Sequence, residues 1–157
     1  MLYFAYGSNT NLPALRRYLV QHGLNFRDVS KPCRALLEGW RIRTNYLMSR
    51  MTGAANIEPT KGTRVEGLLM EMTPAVHQAL RRKEGWPHRY REIAVTVTIP
   101  RTRQIMAAIT YVVSKAYQLP VDMPVHEDYR DAVLDGAKQA GFTKKYQHYL
   151  SRLLRTA

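Results

Sequence analysis

The spacing of apolar positions changes along the chain, and each change marks an element. Leu2 to Tyr6 is a continuous apolar and aromatic run that stops at Gly7-Ser8-Asn9. A run of this length bounded by small polar residues predicts a buried strand ending in a tight turn. From Asn11 to Gly23 the period lengthens. Leu12, Leu15 and Leu19 share one face and Arg16 and Arg17 the other, which predicts a helix stopped by Gly23. A polar connection with Pro32 near its end follows. Cys33 to Leu47 holds two short strand candidates around Glu38-Gly39, and Met48 to Gly62, rich in Gly, Ala, Thr and Pro, predicts mostly loop with a brief strand at Ala54 to Ile57. Val65 to Met72 alternates, and its face of Glu66, Leu68, Met70 and Met72 is the more apolar, as in a half-buried strand.

Thr73-Pro74 has the chemistry of a helix start, with Thr as N-cap and Pro in the first turn. Val76, Ala79 and Leu80 form its inner stripe, Gly85 ends it and Pro87 forbids its continuation. Tyr90 to Ile99 alternates Ile93, Val95, Val97 and Ile99 against Glu92, Thr96 and Thr98. Gln104 to Val113 is its expected antiparallel partner across Pro100-Arg101-Thr102. Leu119 to Val125, with two prolines, predicts a loop. Two helices close the chain. The first presents Tyr129, Val133 and Ala137 and stops at Gly141; the second starts at Thr143 and presents Tyr146, Tyr149, Leu150, Leu153 and Leu154. Strands outnumber helices without alternating regularly with them. The pattern therefore predicts a mixed α/β (α+β) fold with a strongly curved or closed sheet, not a doubly wound one. At 157 residues, a single domain spanning 1–157 is expected.

Composition narrows the class. The balance of 45% hydrophobic and 23% charged residues is that of a folded globular protein. The N-terminal apolar run lacks a basic segment before it and ends too early for a signal peptide. No stretch approaches the roughly 18 apolar residues of a membrane helix, so no membrane association is expected. Cys33 is the only cysteine, which rules out an internal disulfide and makes a cytoplasmic location the expectation; it reads as a buried small residue. The formal net charge of +12 would suit nucleic acid or an acidic partner. The basic residues are dispersed, however, which favours a solvated basic surface and makes nucleic acid the lesser alternative.

Two places carry candidate chemistry. A strand, a small-residue turn and a helix start at Gly7-Ser8-Asn9 leave backbone N–H groups free for a carboxylate or phosphate, although an ordinary strand-to-helix turn has the same spacing. Ser8 and Asn9 are also good N-cap residues. Glu84 ends the helix before Gly85. Partial negative charge at a helix C-terminus, and burial in any cavity, would raise its pKa toward the range useful for proton transfer. Helical spacing puts Arg81 on the same face and Arg82 and Lys83 elsewhere, so a surface ion pair with Arg81 is the competing reading. Ser8 is outside a Gly-x-Ser-x-Gly elbow. The five histidines lack ligand spacing, so no metal is expected.

Tyr3-Phe4-Ala5-Tyr6-Gly7-Ser8-Asn9 resembles the opening motif of the gamma-glutamylcyclotransferase (AIG2-like) family. Gly53-Ala54-Ala55-Asn56-Ile57, Lys83-Glu84-Gly85 and the segment from Tyr129 to Leu150 match in order. The resemblance implies a small mixed β-barrel flanked by helices with a site in a cavity at one end. It implies that a γ-glutamyl amide cyclises to 5-oxoproline and releases an amine or amino acid, with no cofactor consumed. Glu84 is then the catalytic acid/base, and Tyr3, Ala5, Tyr6, Gly7, Ser8, Asn9, Tyr90, Tyr111 and Tyr129 belong to substrate binding. Whether the turn amides serve the oxyanion or the substrate α-carboxylate stays open. Asn45 and Tyr46 are expected near the cavity without an assigned role, and Trp86-Pro87-His88 are expected to crowd its mouth. The leaving group and the oligomeric state are unassigned. Two alternatives remain: removal of a γ-glutamyl cap from a biosynthetic intermediate, and a binding module of the same fold for an anionic ligand or RNA.

Overall fold

The computed structural model describes residues 1–49 and 52–157. Five strands, β1 (Leu2–Ala5), β2 (Val29–Ser49), β3 (Thr52–Met72), β4 (Tyr90–Ile99) and β5 (Gln104–Val113), close into a barrel in the order β1-β3-β2-β4-β5. Four helices flank it: α1 (Leu12–Gln21), α2 (Pro74–Glu84), α3 (Glu127–Gln139) and α4 (Lys144–Leu153). The sheet is mixed. β1 runs antiparallel to β3 and parallel to β5, meeting it at Tyr3 and Ile109.

β1 is apolar throughout because it is covered on both sides. Phe4 and Tyr6 pack with the cluster that reaches α3 and α4, while Tyr3 and Ala5 pack with the cluster under α1 and α2. The end of β3 behaves likewise. Val65 and Leu69 join the first cluster and Leu68, Met70 and Met72 the second, so this stretch is buried on both faces where alternation predicts half-burial. Even Glu66 is buried. It accepts hydrogen bonds from Arg34 (2.9 Å) and from the Thr143 amide (3.0 Å) and hydroxyl, tying the start of α4 to the barrel.

The largest departure from the sequence pattern is the long β2–β3 hairpin. Instead of two short strands followed by a loop, two 21-residue strands pair from Val29↔Met72 to Ser49↔Thr52. Residues 50 and 51 of the predicted loop lie outside the described residues. Cross-strand pairing overrides the poor local propensity of Gly53 and Pro59, and irregularities absorb the mismatch, including one between Glu38 and Trp40. Cys33 is only half-buried, not enclosed as expected.

Local chemistry accounts for the helix ends. The Asn11 side chain accepts from the Ala14 amide at 3.1 Å, so α1 is capped by Asn11 and not by Ser8 or Asn9. Thr73 caps α2 and Thr143 caps α4 through the same type of bond. Gly85, at φ 69°, terminates α2 in the left-handed conformation that a side chain disfavours. His126 caps α3. Tyr149, expected on the inner face of α4, is 37% exposed. No described helix is long and apolar enough to cross a membrane.

Candidate functional site

The end of β1, the end of α2 and the starts of β4 and α3 converge on a cavity of about 450 Å³, inside the ~300–1,000 Å³ range of small-molecule sites. Tyr3, Tyr6, Gly7, Ser8, Asn9, Glu84, Tyr90, Tyr111 and Tyr129 line it. Ala5 does not reach it; its side chain is fully buried in the core beneath α1 and α2. Nine of the ten residues named from the sequence thus share one space.

After β1 the chain enters a single 3₁₀ turn over Ser8–Thr10, closed by Thr10 N–H donating to Gly7 O at 3.1 Å and Asn11 N–H to Ser8 O at 3.1 Å. No acceptor among the described residues takes the Ser8 or Asn9 amide hydrogens, as expected at the start of a helical turn. Gly7 eases a close approach. A Cβ there would lie 3.2 Å from the Ala55 Cβ and 3.3 Å from the Tyr129 hydroxyl.

Asn9 joins the turn to Glu84. Its buried side-chain amide donates to Glu84 Oε1 at 2.9 Å and to the Tyr3 hydroxyl at 2.9 Å, while its Oδ1 accepts from Lys83 Nζ. An ammonium only donates and a carboxylate only accepts, so the orientation of the amide is fixed by its neighbours. Glu84 is half-buried and lines the cavity. Burial raises its pKa, against the opposing pull of Lys83 and the Asn9 hydrogen bond. Burial lowers the Lys83 pKa, with Glu84 pulling upward.

The competing Arg81–Glu84 pair does not form among the described contacts. Arg81 turns to Glu92, donating twice at 3.1 Å, and its guanidinium stacks 4.1 Å from the Trp86 ring centre. Lys83 and Arg82, placed elsewhere by helical spacing, reach the cavity instead. Glu92 also binds His77 (2.7 Å) and accepts from the Tyr111 hydroxyl (3.0 Å). Burial raises the Glu92 pKa, but the bonds from Arg81, His77 and Tyr111 outweigh it and hold the carboxyl below its usual range.

The tyrosines divide by what their hydroxyls already do. Tyr6 donates to Tyr111 O (2.6 Å), Tyr90 to Ala55 O (2.8 Å) and Tyr111 to Glu92. Tyr3 accepts from Asn9 and Tyr129 accepts from the Ala55 amide at 2.9 Å, which leaves each a hydroxyl hydrogen without an acceptor among the described residues. Burial is the largest cause raising the pKa of all five, and Glu84 adds to it. They therefore remain neutral donors.

Several wall residues carried no clear sequence signal. Arg82, Arg89 and Met48 line the more open part; Tyr46, expected near the cavity, does line it, and Arg89 Nη1 donates to its hydroxyl at 3.2 Å. Asn45 is turned away, accepting from Asn56 at 3.0 Å. Trp86, Pro87 and His88 are not part of the lining. The signal for Arg89 was its place between Gly85 and Tyr90, two positions already singled out. No cluster of three or more His, Cys, Asp or Glu side chains suited to a metal occurs among the described residues.

Comparison with solved structures places the fold. A protein named gamma-glutamyl cyclotransferase superposes with a TM-score of 0.84 at 22% identity, covering 99% of this chain and 89% of that one. An uncharacterised human protein gives 0.81 at 23%, covering 99% and 89%. A yeast gamma-glutamyl cyclotransferase described as specific to glutathione gives 0.73 at 13%, covering 98% and 93%. A search of curated protein sequences returned no match. The AIG2-like family model matches residues 64–150, more than half of the sequence and the part that carries Glu84, Tyr90, Tyr111 and Tyr129; the chain belongs to the AIG2-like family.

Proposed function

We propose that the chain cleaves a γ-glutamyl amide by internal cyclisation, releasing 5-oxoproline and an amine or amino acid. One observation carries the proposal: a half-buried carboxylate, Glu84, faces a turn with free amides across a single cavity, with Asn9 bonded between them. The gamma-glutamyl cyclotransferases that share the fold support the same reading.

The chemistry needs few groups. Glu84 takes a proton from the substrate α-ammonium, and the freed nitrogen attacks the substrate's own γ-carbonyl carbon. The C–N bond to the leaving group breaks as Glu84 returns the proton to the departing nitrogen, and the second proton of the ring nitrogen passes to the same amine, which leaves as an ammonium while the ring becomes a neutral lactam. A raised pKa suits both transfers. The cavity folds a flexible glutamyl chain into a five-membered ring, and orientation of this type is worth roughly 7–11 kcal/mol of barrier. The oxyanion and the substrate α-carboxylate need donors. The Ser8 and Asn9 amides and the Tyr3 and Tyr129 hydroxyls are among the cavity donors without acceptors among the described residues, and one well-placed donor to an oxyanion contributes about 3–4 kcal/mol.

The test is incubation with γ-glutamyl dipeptides and γ-glutamylamines, assayed for 5-oxoproline. Release by wild type and its loss in Glu84→Gln is expected. Undiminished release by that variant removes Glu84 from the mechanism. No turnover, with salt-sensitive binding of an anion or RNA, points to the binding module.

A further inference from the structure

The cavity walls hold more positive charge than a γ-glutamyl group alone can use. Among the described lining residues Glu84 is the only acid, facing three cations, Arg82, Lys83 and Arg89. A γ-glutamyl group brings one ammonium and one carboxylate. Glu84 matches the ammonium, while the free turn amides and Lys83, bonded to Asn9 on that turn, match the carboxylate. Arg82 and Arg89 are left over, and neither has a carboxylate partner among the described residues.

Burial says which part of a substrate they meet. Tyr3, Tyr6, Asn9, Tyr90 and Tyr111 are buried and Gly7, Ser8 and Glu84 half-buried, whereas Arg82, Lys83, Arg89 and Met48 are exposed. The glutamyl unit must sit at the buried end, against Glu84 and the turn, so the leaving group projects toward the arginines. Arg89 is held in place there. Its stem packs across Gly85, where an added Cβ would come within 3.2–3.3 Å of three of its carbons, and its guanidinium is tied to Tyr46.

We infer that Arg89 determines specificity for leaving groups that carry a carboxylate, so that γ-glutamyl amino acids and peptides are preferred over γ-glutamylamines. This rests on the cyclisation reading. The experiment compares γ-glutamylalanine with γ-glutamylethylamine, whose leaving groups differ only by a carboxylate, in wild type and Arg89→Met, by kcat/KM for 5-oxoproline release. Wild type is expected to favour the alanine compound by about tenfold or more, the value of a hydrogen bond to a charged group. In Arg89→Met that ratio is expected to collapse, through a rise in KM for γ-glutamylalanine. Equal turnover of both substrates by wild type, or a ratio that survives the substitution, overturns the inference and leaves cyclisation standing. No 5-oxoproline from either substrate overturns both. Should Arg89→Met fail to fold, a salt series on wild type reads the same contact: the ratio shrinks as ionic strength rises, and a ratio indifferent to salt overturns the inference.

Discussion

Replacing Asn9 by aspartate changes almost no volume but reverses the electrostatics beside Glu84. The Asn9 amide nitrogen, 2.9 Å from Glu84 Oε1, becomes an oxygen. Two ionised carboxylates at roughly 3 Å repel by about 6 kcal/mol at an effective dielectric constant near 20. Keeping one proton on an ordinary carboxyl at pH 7 costs only about 3.7 kcal/mol, from a reference pKa near 4.3 and 1.36 kcal/mol per unit. Repulsion wins, so the introduced carboxyl and Glu84 share a proton at neutral pH, and Glu84 is no longer free to accept one from the substrate. Freeing Glu84 of the shared proton restores the repulsion and costs the difference, about 2 kcal/mol, or about 30-fold in kcat/KM. The assay is 5-oxoproline release as a function of pH. Asn9→Asp is expected to be slow at pH 7, with its acidic limb moved to higher pH, whereas Asn9→Ala loses rate without the added charge. An Asn9→Asp profile that overlays wild type in both height and position would refute the arrangement of Asn9 and Glu84 set out above.

The remaining predictions concern stability. Burial raises the Glu84 pKa in the folded chain, so the folded state holds a proton that the unfolded chain has released above about pH 4.3. Stability contributed by this group therefore falls as pH rises from that value through the raised folded one; Glu84→Gln should remove that fall, and identical Tm–pH curves for variant and wild type would contradict it. Glu92 has the opposite sign. Its depressed pKa stabilises above the unfolded value and is lost as pH falls through the folded one, so Glu92→Gln should lower Tm at pH 7 and the gap should close on acidification. In Gly136→Ala, the new Cβ would lie 2.5 Å from Thr10 Oγ1 and 2.6 Å from the Asn11 amide nitrogen. That should cost about 1–3 kcal/mol in urea denaturation and, by pushing on the Ser8–Thr10 turn, lower 5-oxoproline release as well; unchanged stability would count against this packing.

What could be read beforehand was whatever local chemistry decides. Thr73, Pro74 and Gly85 bound α2 as their types require, and β4 and β5 pair as their alternation predicts. Within Thr52–Met72, Ala54 to Ile57 and Val65 to Met72 read as strand, but the continuous strand did not, because the Gly- and Pro-containing stretch between them takes its strand character from its partners in β2. At the site, the resemblance brought Glu84 and the turn together, while helical spacing misplaced the charges around them. Helical spacing gave Arg81 to Glu84, but it cannot register the competing carboxylate of Glu92 or the face of Trp86. Nor does spacing predict that Asn9, free of capping duty because Asn11 takes it, turns its amide toward an acid seventy-five positions away.

The barrel's seam bears on how such a chain comes into being. β1 is flanked by β3 on one side and by β5 on the other, touching Ile109 through Tyr3. During synthesis β1 leaves the ribosome before β5 and must wait for more than a hundred further residues before Ile109 emerges to meet Tyr3. Such distant pairings put the fold among slower-maturing topologies. A nascent chain stalled before β5 exposes an aromatic ribbon with one edge unmatched, the kind of surface that chaperones shield and aggregates recruit.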